Sequence, residues 1–348
     1  MHVYQIDPLI DRRWDALTCT HPNSSIFHTA GWLRALQLTY GYQPVAYTLS
    51  APDSELMTAV VFCRVHTWPT GKRLVSLPFS DHCEPLTDDA EQLNEILSYV
   101  RAHRESDRLR HVEIRPVQIN ADLFQSGLQF GVHKTYYSHR VDLRLSCDDL
   151  MRSFHKDCVQ RAIRRAEREG LEYREGRSEQ LLRIFFDLLI KTRRKHQLPP
   201  QPITWFRNLA RCLDDHLQIR VASKGDCPVA AIMTLSSKDT LVYKYGCSDP
   251  KFNKFGGTAF LLWKAIQAAK AAGLTWLDLG RSDSDNSGLV SFKDHWGATR
   301  TSLSYWRYPS PEPRPLQADW TKLAGHVFRR MPDALLVAAG RLLYRHVG

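Results

Sequence analysis

The sequence predicts an α/β fold made of two structurally related halves, each a mixed, mostly antiparallel sheet flanked by helices. Three observations predict it. The order helix, strands, helix, strand occurs twice. Short apolar runs broken by turn formers mark the strands, and longer runs with apolar residues three and four apart mark the helices. At 348 residues the chain is also long enough for two domains of ordinary size.

In the first half, SSIFHTAGWLRALQLTYG reads as an amphipathic helix with Trp32, Ala35 and Leu36 on one side. The runs QPVAYTL, LMTAVVFCRV and RLVSLPF follow as strands, separated by the turn-rich breaks APDSE and HTWPTGK. DDAEQLNEILSYVRAHRES is a helix with Leu93, Ile96, Leu97 and Val100 at helical spacing, acids at its start and bases towards its end. HVEIRPV closes the half as a strand.

The second half opens with three helices, CDDLMRSFHKDCVQRAIRRAEREG, RSEQLLRIFFDLLIKTRRKH and PITWFRNLARCLDDH. A meander of LQIRVAS, VAAIMTLS and TLVYKYG comes next, broken at KGDCP and SKD. The helix TAFLLWKAIQAAKAAG ends at Gly273, which suits a left-handed cap. LTWLDLG is then a strand. From Pro309, PSPEPRPLQ is a proline-rich connector to a helical tail.

Hydrophobic residues at 43% and charged residues at 24% are globular proportions. Forty-seven Lys and Arg against 37 Asp and Glu give a net charge of +10. That surplus points to a polyanionic partner: nucleic acid, a nucleotide-linked substrate or an anionic membrane surface. The eight cysteines are scattered with no C-x-x-C pair, so reduced thiols and no metal are expected. The first residues lack a basic leader followed by an apolar run, and no apolar stretch reaches the ~18 residues of a membrane span. A cytoplasmic protein is expected.

Three places carry chemistry. The polar stretch from Asp278 to Tyr305 delivers a single lysine, Lys293, bracketed by Phe292 and Trp296. A solvated loop has no use for the aromatics and a core element none for the lysine, so the segment is expected to line a substrate channel. DPKFNKFGGTA runs from a strand through Gly256 and Gly257 into a helix, whose first N–H groups can hold an anion near Lys254. Arg161, Arg164, Arg165 and Arg168 fall at i, i+3, i+4 and i+7, one face of a helix, and are expected to meet phosphates. Tyr243 and Tyr245 alternate about Lys244, so both rings are expected on one side, in the channel or the core. His28 and His139 each stand alone and are read as structural.

Those residues resemble a family. FHTAGWLRALQLTYGYQP with GKRLVSLPFSD, the basic helix HKDCVQRAIRRAEREGLEYREG, and LTWLDLGRSDSDNSGLVSFKDHWGATRTSLSYWRY are together similar to FemAB/FemX-type transferases of the GNAT superfamily, close to the exopolysaccharide-associated FemAB-like proteins. Lys254, Gly257 and Ala259 fit a relaxed form of the GNAT pyrophosphate loop. The resemblance implies two GNAT-like halves, residues 1–145 with 311–348 packing back on them, and residues 146–310 carrying the donor site. It implies N-acyl transfer to an amine of a cell-envelope, polysaccharide or other small precursor, from aminoacyl-tRNA or acyl-CoA, with no permanently bound cofactor. Lys293 matches the family lysine of the donor site and Arg281 the arginine of the strand-end motif. Leu279 stands where Phe is usual, and the helical hairpin arm of the peptidoglycan-bridge members is shortened or missing.

Aminolysis of an ester or thioester passes through an oxyanion, which a fixed cation stabilises; losing one such donor costs about 3 kcal/mol. Asp278, Asp283, Asp249 or a substrate phosphate could take the amine proton. The tail, with Leu335, Leu336, Leu342 and Leu343 beside Arg329, Arg330, Arg341 and Arg345, reads as a helix that packs on the first half or touches an anionic membrane, peripheral to the inner membrane. A non-catalytic RNA- or polysaccharide-binding protein on the same fold is the alternative.

Overall fold

The structure is a computed structural model, and it describes residues 2–68, 70–117, 124, 127–310 and 327–347. The chain divides into two compact units, residues 1–136, 302–314 and 345–348, and residues 137–301 and 315–344.

In the first unit, β1 (Tyr4–Ile6), α1 (Arg13–Thr20) and α2 (Ala30–Tyr40) precede a meander of β2 (Gln43–Thr48), β3 (Val60–Thr67) and β4 (Gly71–Val75). Helix α3 (Ala90–Ala102) then crosses over to β5 (Leu109–Ile114), which lies parallel to β4. The other neighbours are antiparallel: β1 with β2, β2 with β3, β3 with β4. Caps set the helix ends. The Thr29 hydroxyl accepts from Trp32 N–H at α2, and Asp89 accepts from Gln92 N–H at α3. Phe62, Leu74, Ile96, Leu97 and Val112 close the core between α3 and the sheet.

β6 (Gly131–Asp142) leads into the second unit. There α4 (Cys147–Ser153) and α5 (Arg161–Arg168) precede a repeat of the first unit's order. β7 (Glu172–Gly176), α6 (Glu179–Lys195) and α7 (Ile203–Leu213) come before β8 (Leu217–Lys224), β9 (Cys227–Ser237) and β10 (Thr240–Ser248). Helix α8 (Gly257–Ala271) crosses over to β11 (Trp276–Asp283), parallel to β10, while β7, β8, β9 and β10 are antiparallel neighbours. The two runs match element for element, which extends the helix, strands, helix, strand order read from the sequence. A short helix α9 (Ser287–Asp294) and the strand β12 (Thr299–Tyr308) follow; β12 pairs β5 within the first unit through Trp306↔Ile114 to Tyr308↔Val112.

Several elements depart from the sequence expectation. β1, α1, β6 and β7 are present without having been expected; β7 is short and mostly solvent-facing, so its pattern carries no apolar alternation. The basic segment expected as one helix is broken: Phe154 is extended at φ −74°, ψ 148°, and His155 caps a π-helical turn, Lys156–Gln160, that feeds α5. The stretch after Asp283, expected as a loop, contains α9, started by the Asn286 side chain accepting from Leu289 N–H. The proline-rich connector lies mostly outside the described residues. The last helix, Asp333–Val347, keeps Leu336 buried and Gly340 against the Pro200 carbonyl, and Tyr344 Oη donates to Pro199 O at 3.3 Å. These contacts fall within the second unit; in the first, Tyr42 Oη donates to Arg345 O at 3.1 Å.

Candidate active site

In the second unit, β10 and β11 share only a short parallel ladder, Thr240↔Trp276 to Val242↔Asp278. Just beyond it each strand is distorted. β10 bulges between Tyr243 and Tyr245, where the register against β9 steps from Thr234 to Met233. β11 takes φ +69° at Gly280, a left-handed conformation that costs a side-chain-bearing residue. Asp278, buried at 3% exposure, stabilises that bend: its carboxylate accepts from Gly280 N–H at 2.7 Å.

Lys293 completes the bend. It lies near the end of α9 at 3% exposure, and its ammonium donates to the carbonyls of Gly280 and Arg281, each at 2.8 Å. The strand-end motif and its lysine are therefore one bonded unit: Asp278 holds the N–H side and Lys293 the C=O side. The cation is buried on main-chain oxygens. Arg281 itself is half-buried.

Phe292 and Trp296 serve packing. Trp296 is fully buried, edge-on to Phe154 with centroids 5.0 Å apart, and Phe292 packs on the same core. The bulge also separates the tyrosines, which correct the expectation of a shared side. Tyr243 pairs with Thr234 and packs on the α5–α8 side, whereas Tyr245 pairs with Met233 and turns to α6 and α7. There its hydroxyl accepts from Trp205 Nε1 at 2.9 Å, with Phe206 5.2 Å away. Burial raises the pKa of the Tyr243 phenol, which stays protonated.

The glycine turn and the arginine stripe, distant in sequence, meet. A Cβ on Gly256, at φ +76°, would lie 2.3 Å from the Ala162 carbonyl oxygen of α5, and one on Gly257 would press on Ala230 and Val229 of β9. At Gly256 only a glycine allows this approach. Arg165 then donates to the Lys254 carbonyl at 3.1 Å. Arg161, Arg164, Arg165 and Arg168 are all exposed, with Ile163 and Ala166 buried beneath them; Arg161 pairs with Asp157 at 2.8 Å. One basic corner thus forms at the start of α8.

Among the expected proton acceptors, Asp249 is committed. Burial would raise its pKa, but the Lys191 ammonium at 2.6 Å and the Lys251 N–H outweigh that and hold it low. His139, read as structural, lies beside Lys293 instead. It is fully buried, its Nε2 is 3.4 Å from Asp294 Oδ1, and burial first, then the Lys293 charge, lowers its pKa to about 4. Its ring nitrogens, Ser282 Oγ and Trp296 Nε1 are buried without a hydrogen bond among the described residues. They sit on β6, β11 and the turn after α9, the elements around Lys293. Nothing in the local sequence of His139 signals this, because the contact is made across strands.

The first unit holds a second strained feature, in the motif SLPFSD. Leu77 and Phe79 take φ +48° and +63°, which costs about 1–3 kcal/mol each. Arg115, buried, pays for it by donating to Leu77 O at 3.0 Å and to the Glu113 carboxylate at 2.8 Å. Burial opposes ionisation of Glu113, yet Arg115 and Arg307 hold its pKa down to about 2.

The second unit thus combines a meander, a helical crossover and a parallel pair that parts after a bulge. Residues 153–293 match the family model described as an acetyltransferase (GNAT) domain. FemX is similar in structure, with a TM-score of 0.66 at 16% identity over 87% of this chain and 97% of that one. So is L-PGS from Bacillus licheniformis, at 0.57 and 14% over 92% and 97%. A tandem GNAT protein from the clavulanic acid biosynthesis pathway aligns at 0.57 and 9% over 90% and 99%. No curated protein sequence matches. The fold is thus shared along nearly the whole chain with proteins of the class that the sequence motifs resemble.

Proposed function

We propose that the protein is an N-acyltransferase that binds a phosphate-bearing acyl donor, acyl-CoA or aminoacyl-tRNA, at the second unit and passes the acyl group to an amine of a cell-envelope or polysaccharide precursor. The observation that carries this reading is the end of the β10–β11 ladder at Val242 and Asp278. Beyond it the pairing of the two strands stops, next to the bulge at Tyr243 and Tyr245 and the bend at Gly280. An extended donor arm bearing amides would run along strands that part there, as an added strand does.

The basic corner of Arg164, Arg165, Lys254 and the first N–H groups of α8 suits the donor's phosphates, whether of CoA or of a tRNA end. Lys293 acts as a positioning residue: it holds the Gly280 bend, and its buried charge favours a developing oxyanion. His139, neutral near pH 7, suits the amine's proton better than the committed Asp249. The acceptor lies outside what these residues specify.

The FemX and L-PGS likeness favours an aminoacyl donor, and the Lys254–Ala259 loop favours CoA. Melting the purified protein with acetyl-CoA and, separately, with charged tRNA decides between them, since only the ligand that binds raises the melting temperature. Neither doing so refutes the transferase reading and leaves the binding-module alternative. The exposed Leu335, Leu342 and Leu343 with Arg329, Arg330 and Arg341 support peripheral contact with anionic lipid. Flotation of the full chain with phosphatidylglycerol vesicles, lost on truncation at Gln317, tests it; equal recovery of both chains rejects it.

A further inference from the structure

We infer that His155, Cys158 and His295 form a binding site for a borderline-soft divalent metal such as Zn²⁺, clamping the turn before α5 to the end of α9. One ligand atom from each of the three lies within 4.8 Å of the others. An imidazole pair with a thiolate is a donor set that selects zinc and its neighbours over Mg²⁺ or Ca²⁺.

The backbone already sets the geometry. His155 N–H donates to the His295 carbonyl at 2.8 Å, which fixes the two histidines against each other, and their rings lie 4.4 Å apart at 46°. His155 and Cys158 lie at the head of one wide, π-helical turn, where the His155 Nδ1 accepts from Cys158 N–H at 3.2 Å. That long bond identifies Nδ1 as the nitrogen carrying a lone pair. Ion capture exchanges it for a metal bond at the same nitrogen. Tetrahedral zinc, with bonds of about 2.0–2.3 Å, needs ligand atoms about 3.3–3.8 Å apart. Closing from at most 4.8 Å takes side-chain movement of about 1–1.5 Å, within reach of the exposed His155 and Cys158 side chains. Three protein ligands leave the fourth position to water.

The ion would join the segment that leads into the arginine stripe to the helix that carries Lys293. The site itself does not depend on acyl transfer, so its test stands apart from that reading. The full-length, reduced, chelator-treated protein is titrated with Co²⁺. One equivalent should produce thiolate-to-cobalt charge-transfer absorption with tetrahedral d–d bands, both displaced by Zn²⁺. Cys158→Ser should abolish the charge-transfer band, and His295→Gln should weaken binding roughly tenfold or more. Zn²⁺ should raise the melting temperature of the wild-type protein and leave Cys158→Ser unchanged. No charge-transfer band, or one that survives in Cys158→Ser, overturns the assignment. If Cys158→Ser melts abnormally without metal, Cys158→Ala and His155→Gln, read the same way, decide.

Discussion

The Lys293 ammonium and the Gly280 carbonyl are hydrogen-bonded at 2.8 Å inside the second unit, so a residue of α9 holds the bend of β11. Lys293→Met keeps the length and loses the donor, leaving the Gly280 and Arg281 carbonyls without that partner. The expected loss is about 2–4 kcal/mol in urea unfolding. Turnover should fall further than the folded fraction does. A variant with unchanged stability would show that the lysine does not hold the strand.

Gly256→Ala tests the meeting of the glycine turn with α5. The added Cβ would meet the Ala162 oxygen at 2.3 Å and sit at φ +76°, for a combined loss of about 2–4 kcal/mol. Gly273→Ala is the control: φ is +79° but nothing lies within 4 Å, so only about 1 kcal/mol is expected. Equal losses in the two variants would remove the steric argument.

Replacing Arg164 and Arg165 together by Ala should lower donor affinity and flatten its salt dependence. If the donor is tRNA, each lost phosphate contact reduces the log–log slope by about 0.7–0.9. Arg161→Ala should change it less, because Arg161 already pairs with Asp157. A slope equal to wild type in the double variant makes the stripe a solvated face.

In the first unit, Arg115→Met leaves Glu113 buried with one cation fewer and releases the Leu77 carbonyl. A loss of about 3–5 kcal/mol is expected by thermal or urea unfolding. A companion change, Glu113→Gln, should recover part of it. Additive losses in the double variant would mean that the pair is not coupled.

Acid should destabilise the protein early. Burial lowers the pKa of both His28 and His139 from 6.5 to about 4. Between those values the unfolded chain binds protons that the folded one does not, so stability is full above about pH 6.5 and falls as pH drops towards 4. Each histidine accounts for on the order of 2–3 kcal/mol at the lower end. His139→Gln should make the melting temperature less steep between pH 6 and 4.5 (roughly the titration window), and an unchanged steepness contradicts the assignment.

Much of this was legible locally. The apolar spacing of Leu93, Ile96, Leu97 and Val100 marks α3 because a helix face is written in residues three and four apart, and all four are buried. The arginine stripe is legible for the same reason. The alternation of Tyr243 and Tyr245 misleads because the register shift between them, at Lys244, inverts the period of two. α9 was missed since an eight-residue helix owes its existence to the Asn286 cap and to the burial of Val290 and Lys293.

By itself the sequence determined the repeated order of elements, the basic face of α5 and the glycines at the head of α8, because each is set by near neighbours. Tertiary structure alone decided that Lys293 would bond the Gly280 and Arg281 carbonyls, that Arg165 would reach Lys254, and that His295 would join His155 and Cys158. Those pairings span residues far apart in the chain. Their partners are chosen by which surfaces the two parallel strands and their crossover bring together, and no local period encodes that choice.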